Sequence, residues 1–212
     1  GRDGPALYIV LAFQAQQAQQ LGGPPPEVFT GSVSLNLADG GAEVQVIDDT
    51  GKININLAPP HLIYNLLIMV GVDPRDADVI TDSIEDWRDQ DDLYRPNGAE
   101  TEYYQSLTNP YVAKNGFFDV PEELLLVRGV TPEIYYGRKG LSETGERVEY
   151  FGLQKYFTTF TSLPRININS APIPVLAAVP GLDYEVASQI YLMRQEGPLM
   201  GLEQVMERIP GI

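Results

Sequence analysis

The feature that most constrains this chain is an internal repeat, because a repeated unit fixes the fold of two segments at once. Residues 52–71 read KININLAPPHLIYNLLIMVG, and residues 165–181 read RININSAPIPVLAAVPG. Each copy begins with a basic residue and Ile-Asn-Ile-Asn, continues into a helix started by proline, and ends in a turn that closes on glycine. Second helices are expected over residues 72–88 and 182–194, each with an acid at its start and an arginine at its end.

The copies differ mainly by residues 89–115, which only the first copy contains. The repeat therefore predicts a duplicated helical hairpin whose first copy carries an acidic insertion. The asparagines before each first helix have a structural interpretation, because an Asn side chain there can cap the helix or bridge strand to helix.

The rest of the chain predicts an α+β fold. Residues 7–21 favour a helix, and residues 32–37 and 43–47 alternate apolar and polar side chains around an Asp-Gly-Gly turn, which predicts a β-hairpin. Residues 52–56 predict a further strand. Residues 146–162 suit one or two strands that return to the sheet begun at Ser32.

The resulting prediction is an N-terminal helix plus an antiparallel sheet, with a large inserted helical domain and a second helical repeat at the C-terminus. Residues 131–145 read as an exposed connection rich in glycine and mixed charge. The predicted divisions are a helix with the first strands (1–58), the inserted α-domain (59–145), the return strands (146–166) and the second repeat (167–212).

Composition excludes several classes of protein. The net charge of −15 argues against a nucleic-acid surface, because phosphate binding depends on Lys and Arg. The absence of cysteine excludes disulfides, thiol nucleophiles and zinc–thiolate sites. The only histidine, His61, stands beside prolines at a helix start, and the sequence has no GxSxG, phosphate-loop or HExxH motif. The sequence therefore predicts a protein that is not an enzyme and contains no membrane-spanning stretch.

The candidate site is the acidic insertion. Its Asp-x-Asp at Asp89 and Asp91, its Pro-Asn-Gly turn and its later Glu100 suit a hard cation such as calcium, which takes six to eight oxygens. On EF-hand spacing these three carboxylates fall at the first, third and last ligand positions. Leu93 and Tyr94 occupy the places of an oxygen ligand and a glycine, so the loop is not an EF-hand.

A solvated acidic loop is the alternative to a metal loop. Aromatic side chains nearby favour an ordered loop, whose carboxylates need a counter-ion; they are Trp87, Tyr94, Tyr103 and Tyr104. Four charged residues before the loop also have a simpler interpretation as surface charges paired along a helix: Asp82, Glu85, Asp86 and Arg88.

Two resemblances follow from these motifs. The glycine-closed hairpins resemble a helix-hairpin-helix (SAM-like) unit, although Asp73 and Asp183 stand where a DNA-binding version needs to hold a phosphate. The order of KININL, DWRDQD with GAE, NGFFDVPEELLLV and NINSAPIPVL resembles the K-type minor pseudopilins of bacterial type II secretion systems over nearly the whole chain.

The pseudopilin resemblance implies a soluble domain in the periplasm that a hydrophobic N-terminal helix anchors in the inner membrane. It also implies a place at the pseudopilus tip with I- and J-type minor pseudopilins, and no nucleic-acid partner. Calcium in the α-domain belongs to the same family picture. The implied ligands are Asp86, Asp89, Asp91 and Glu100, with Glu102 and Asp92.

Two other classes of protein remain open from the sequence. One is a helix-hairpin-helix DNA-binding protein of the competence type. The other is a calcium-dependent extracellular adhesion module, which needs no partner helix.

Overall fold

The computed structural model of this chain describes residues 31–37, 40–141, 147–161, 165–200 and 202–209. They belong to two compact units, residues 1–48 and residues 49–212, and each unit is described by itself. The predicted N-terminal helix over residues 7–21 lies outside the described residues. Among the helices in the described part of the chain, none has the length and apolar character needed to cross a bilayer.

The first unit contains the predicted β-hairpin. Strand β1 (Gly31–Leu37) pairs with strand β2 (Gly40–Val46) in antiparallel register, so that Leu37 lies opposite Gly40 and Gly31 opposite Val46. The alternation of apolar and polar residues therefore predicted this hairpin correctly.

The second unit is mostly helical. Its helices are α1 (Pro60–Met69), α2 (Pro74–Arg88), α3 (Thr101–Gln105), α4 (Pro132–Tyr136), α5 (Ile173–Ala178), α6 (Tyr184–Glu196) and α7 (Leu202–Arg208). Its strands are β3 (Ile53–Asn54), β4 (Arg138–Leu141), β5 (Arg147–Tyr150) and β6 (Phe157–Thr158). Short 3-10 turns lie at Asp49–Gly51, Pro121–Leu126 and Leu153–Lys155.

The internal repeat has the predicted form, with α1 and α2 in the first copy and α5 and α6 in the second. The turn of each copy passes through a glycine in the left-handed region, Gly71 at φ +95° and Gly181 at φ +90°, which is why glycine closes both motifs. The first helices of the copies pack on each other, and the Asn65 side-chain amide donates to the Ala178 carbonyl at 2.9 Å.

The first asparagine of each copy binds a threonine that precedes the other copy. The Asn54 amide donates to the carbonyl oxygen and hydroxyl of Thr161, at 2.5 and 3.1 Å. The Asn167 amide donates to the Thr50 hydroxyl at 3.2 Å, and the Asn167 backbone N–H donates to the Thr50 carbonyl at 2.8 Å. The two copies are thus joined by reciprocal polar contacts at their starts.

The last asparagine of each Ile-Asn-Ile-Asn motif binds a segment that follows the second helix of its own copy. Asn56 accepts from the Phe118 N–H at 2.8 Å and donates to the Phe118 carbonyl at 2.9 Å. Asn169 makes the same two bonds with Leu199, at 2.8 and 3.0 Å. These side chains bridge one segment to another. They neither cap a helix nor join a strand to a helix, which were the two predicted roles, because Phe118 and Leu199 lie outside the helices.

The predicted return of residues 146–162 to the hairpin sheet is wrong for the described residues. Strand β5 pairs with β4 in antiparallel register, and β6 pairs with β3 in parallel. The parallel pairing is made by the Ile53 N–H on the Tyr156 carbonyl at 2.8 Å and by the Ile55 N–H on the Thr158 carbonyl at 3.0 Å. The predicted strand at residues 52–56 is therefore a two-residue strand in a different sheet.

The prediction of an exposed connection over residues 131–145 is wrong in part for residues 131–141, which the structure describes: most of them are exposed, but they form regular structure. Helix α4 and strand β4 lie in this stretch, and the side chains of Ile134 and Tyr135 are buried in the core. Thr131 begins the helix because its hydroxyl accepts from the Ile134 N–H at 3.3 Å.

Candidate metal centre

Helix α2 ends in the residues that begin the site. The carboxyl group of Asp73 accepts from the Arg75 N–H at 3.0 Å and caps the start of this helix, and Asp89 ends it. The buried face of α2 includes Ile84 and Trp87 together with two carboxylates, Glu85 and Asp86, which are 8% and 0% exposed. The interpretation of these two acids as surface charges is therefore wrong.

Two arginines neutralise the buried carboxylates in part. Arg88 donates to Glu85 Oε1 at 2.5 Å, and Arg95 Nη2 lies 3.5 Å from Glu85 Oε2. Arg95 Nε lies 3.8 Å from Asp86 Oδ1, and the Arg95 backbone N–H donates to both oxygens of Asp86 at 3.3 Å. Asp86 is thus held by a backbone amide and by one guanidinium that is 42% exposed.

Three carboxylates of the insertion converge beside this network, and we refer to Asp89, Asp91 and Glu100 as the acidic cluster. One oxygen of each lies within 4.8 Å of the others. Glu100 is 1% exposed, and neither of its carboxylate oxygens has a hydrogen-bond partner among the described residues. One oxygen of Asp89 is buried and unpartnered in the same way.

Such an arrangement is unfavourable for charged carboxylates without a cation. Burial raises the pKa of Glu100 to about 7, and the charges of Asp86 and Asp89 add to the rise. Burial raises the pKa of Asp86 to about 6, although the Arg95 N–H acts in the opposite direction. Burial and the charge of Asp91 also raise the pKa of Asp89. Buried unpartnered oxygens cost free energy unless a donor or cation meets them.

A glycine and an arginine place Glu100 against α2. A Cβ atom on Gly98 would lie 1.9 Å from Asp86 Oδ2, so only glycine allows this approach. The Gly98 N–H donates to the Arg95 carbonyl at 3.1 Å, and Arg128 donates to the Gly98 carbonyl at 2.8 Å. The Pro-Asn-Gly turn thus serves to seat Glu100 beside Asp86.

Substitution of Gly98 by alanine is expected to destabilise the protein by about 1–3 kcal/mol, because the added methyl group must displace the buried Asp86 carboxylate. Urea denaturation followed by circular dichroism would measure the change. Gly140→Ala is the matched control, because the nearest atom to its added Cβ lies at 4.0 Å. Equal stabilities of the two variants would contradict this packing argument.

The remaining predicted ligands lie around the acidic cluster. The exposed Asp92 accepts from the Asn115 amide at 3.0 Å, and its charge contributes to the raised pKa of Glu100. Glu102 is exposed on α3, where its charge, after the effect of desolvation, raises the pKa of Tyr94. Asp86 is buried on α2, and the charge of Asp89 in the acidic cluster contributes to its raised pKa.

Aromatic side chains order one side of the insertion. Trp87 packs edge-on against Tyr104 with ring centroids 5.3 Å apart, and Tyr104 stacks on Tyr111 at 5.2 Å. Trp87 and Tyr104 are buried as expected, whereas Tyr94 is 49% exposed and takes no part in this packing.

Two positions make contacts that the sequence did not predict: Arg88, which was interpreted as a surface charge and is 11% exposed, and Asn115. Arg88 donates from α2 to the backbone carbonyls of Ile55 and Ala58, the second at 2.7 Å, besides pairing with Glu85. Asn115 closes the insertion and directs its amide to Asp91 and Asp92. The arginine at the end of each repeated helix was a visible signal for the first position.

The hairpin turns do not offer a phosphate site. At the start of α6 the Asp183 carboxylate accepts from the Val186 N–H at 2.8 Å, and Asp73 occupies the same place on α2. Each helix N-terminus is thus occupied by a carboxylate of the chain itself, which repels a phosphate.

Comparison with known proteins gives consistent results. The family model described as "Type II secretion system (T2SS), protein K" matches residues 37–137. The "Putative type II secretion system protein K" of Escherichia coli K12 is 39% identical over 77 residues, which cover 36% of this chain and 24% of that protein. The type II secretion system protein K of Aeromonas hydrophila is 41% identical over 78 residues, again 36% of this chain and 24% of that protein. The matches thus span about a quarter of the length of these relatives.

The fold is similar to that of a solved structure. A chain in the crystal structure of the GspK–GspI–GspJ complex from the type 2 secretion system of enterotoxigenic E. coli matches with a TM-score of 0.64 and 18% identity. The match covers 95% of this chain and 74% of that chain. At this identity the likeness establishes the fold, which is α+β as the sequence predicted.

Proposed function

We propose that this protein is a minor pseudopilin, because residues 37–137 match the family of the type II secretion system protein K. It would be a structural component of the pseudopilus tip rather than an enzyme. In this role it assembles with I- and J-type minor pseudopilins in the periplasm and initiates or caps the fibre, while an N-terminal hydrophobic helix anchors it in the inner membrane. The family match over residues 37–137 is the observation that carries this proposal.

The second unit suits a capping role because side-chain hydrogen bonds cross-link its segments. Arg88 on α2 donates to the Ala58 carbonyl in the loop before α1. Arg194 on α6 donates to the Ala171 carbonyl in the loop before α5. The reciprocal bonds of Asn54 and Asn167 then join the two copies. Bonds between segments that are distant in sequence are expected to oppose local opening of this unit.

Assembly is the direct test of the pseudopilin role. Mixed with purified I- and J-type minor pseudopilins at micromolar concentration, this chain is expected to elute from a sizing column as one complex containing all three. Light scattering would give the mass of the complex, and each pair of components provides a control. Elution of the chain alone, together with a shift of double-stranded DNA at low salt, would favour the DNA-binding alternative instead.

We further propose that the acidic cluster holds calcium. Asp89, Asp91 and Glu100 would supply the first oxygens, and Asp86, Asp92 and Glu102 lie around them as the remaining candidates. The donor set fits a hard cation because it consists of carboxylate oxygens, two of which are buried on Glu100 without a partner. When bound, calcium supplies the positive charge that these carboxylates lack and thereby orders the insertion.

Calorimetric titration is expected to give saturable calcium binding to this protein and none to the double variant Asp89→Ala/Glu100→Ala. At one hundred times the dissociation constant, calcium should stabilise the fold by about 2.7 kcal/mol. For a protein of this size that is a rise in melting temperature of about 5–10 °C. The matched control is Asp76→Ala/Asp78→Ala, which removes two exposed carboxylates of α2 outside the cluster. Equal binding by both double variants, or no binding by the wild type, would contradict the site.

A further inference from the structure

The end of the insertion returns to the end of α2. The Gly116 N–H donates to the Trp87 carbonyl at 3.3 Å, which places Asn115 beside the residues that begin the acidic cluster. The chain therefore enters the insertion at Asp89 and leaves it at Asn115 within one small region of the fold.

The Asn115 amide is fixed in orientation. Its Nδ2 atom donates to the Asp91 carbonyl at 3.2 Å and to Asp92 Oδ1 at 3.0 Å, which uses both of its N–H groups. Because both of these partners are acceptors, they identify which end of the amide is nitrogen. The opposite end, Oδ1, is buried and has no hydrogen-bond partner among the described residues.

One of the two residues that Asn115 holds, Asp91, belongs to the acidic cluster, where one of its oxygens lies within 4.8 Å of an oxygen of Glu100. After burial and the charges of Asp86 and Asp89, the charges of Asp92 and Asp91 are the next causes that raise the pKa of Glu100. The unpartnered oxygen of Asn115 thus belongs to a side chain that binds one residue of the acidic cluster, and the same cluster contains the two unpartnered oxygens of Glu100.

The backbone at this position restricts the residue type. Asn115 has φ +45°, in the left-handed region, and is the one non-glycine residue of the described chain with a positive φ. Glycine, asparagine and aspartate adopt this conformation most readily. Glycine would therefore satisfy the backbone, and what asparagine adds is its amide group.

We propose that Asn115 Oδ1 is a neutral oxygen ligand of the calcium ion, a proposal that rests on the calcium site proposed for the acidic cluster. Calcium accepts carboxamide oxygens as well as carboxylates. A neutral ligand adds to the coordination number without adding to the repulsion among Asp89, Asp91 and Glu100. It also gives the buried Oδ1 the partner that it lacks.

Terbium(III), which takes the place of calcium and is luminescent, provides the test. Trp87 packs at the start of the insertion and can sensitise its emission. Decay rates in H₂O and D₂O count the water molecules bound to the ion. The variant Asn115→Gly keeps the left-handed backbone and is expected to bind one more water than the wild type, with affinity lower on the order of tenfold.

Asn97→Gly is the matched control, because this asparagine lies in the same insertion but directs its amide to Asp82. Its hydration number and affinity are expected to equal those of the wild type. Asn115→Asp, which keeps an oxygen and tolerates the same backbone, is expected to retain the wild-type hydration number even if its affinity changes.

The outcomes are separable. An Asn115→Gly variant with the wild-type hydration number would overturn the ligand assignment, and so would an Asn115→Asp variant that binds one more water. If Asn115→Gly binds no terbium, the hydration number of Asn115→Asp alone decides whether Asn115 is a ligand. Failure of the wild type to bind either calcium or terbium would instead overturn the calcium site on which this proposal rests.

Discussion

Replacement of Arg88 by alanine is expected to lower the free energy of unfolding by about 3–5 kcal/mol, because it leaves a buried carboxylate and two carbonyl groups without their donor. The Arg88 side chain is 11% exposed and donates to Glu85 and to the backbone carbonyls of Ile55 and Ala58. Urea denaturation with a fitted slope would separate a loss of stability from a change in the surface exposed on unfolding.

The repeat supplies a matched control for this experiment. Arg194 donates to the carbonyls of Ile168 at 3.0 Å and Ala171 at 2.6 Å, in the second copy, and its guanidinium lies over the Tyr191 ring. We expect Arg194→Ala to cost less, about 1–3 kcal/mol, because the bonds that it breaks are to carbonyl groups. If Arg88→Ala lowers the free energy of unfolding by no more than Arg194→Ala does, the larger cost assigned to the buried Glu85 is contradicted.

The second large effect is a reversal of pH dependence by calcium. Without the ion, stability is expected to fall as the pH rises from about 5 to 8. The pKa of Glu100 is raised from 4.5 to about 7, and that of Asp86 from 3.8 to about 6, so the folded state holds more protons than the unfolded state in this range. Stability then decreases with increasing pH. Each shift corresponds to a loss of at most about 3 kcal/mol, and the two losses are not additive because the groups interact.

With calcium the dependence should have the opposite sign. Protons compete with the ion for the same oxygens, so the stabilisation by calcium is expected to grow as the pH rises through about 7. Melting curves from pH 5 to 8, with calcium and with a chelator, would measure both trends. Glu100→Gln is the control, since it removes the main titrating group and should flatten both curves. A chelated wild type that becomes more stable between pH 5 and 8 would contradict the pKa argument.

The sequence predicted the repeat well because its signals are local. Prolines at the helix starts, the glycines at Gly71 and Gly181, and the aspartate caps each act within a few residues of their own position. The hairpin of β1 and β2 is local in the same sense. Residues 131–141 were mistaken for a loop because Gly137 and Gly140 suggest turns, whereas the burial of Ile134 and Tyr135 depends on residues far away in the sequence.

The pairing of strands that are distant in sequence could not be predicted. Strands β3 and β6 have two residues each, too few for an alternation that could specify a partner or a direction. For the site, the spacing of Asp89, Asp91 and Glu100 correctly indicated that these carboxylates come together. The spacing could not show that Asp86 is buried while Asp82, one turn earlier on α2, is not. The Gly98 backbone lies directly against Asp86, since a Cβ atom on Gly98 would lie 1.9 Å from Asp86 Oδ2.

The reciprocal bonds of Asn54 and Asn167 have a consequence for how the protein is made. Asn54 donates to Thr161, which lies 107 residues later in the chain. Strand β3 pairs with β6, which lies in the same late region. At a synthesis rate of about 5–20 residues per second, the first copy emerges about 5–20 seconds before the segment that completes it. During that interval the apolar face of α1 has no α5 to cover it. The first copy is therefore expected to expose apolar surface that favours aggregation until the second copy emerges.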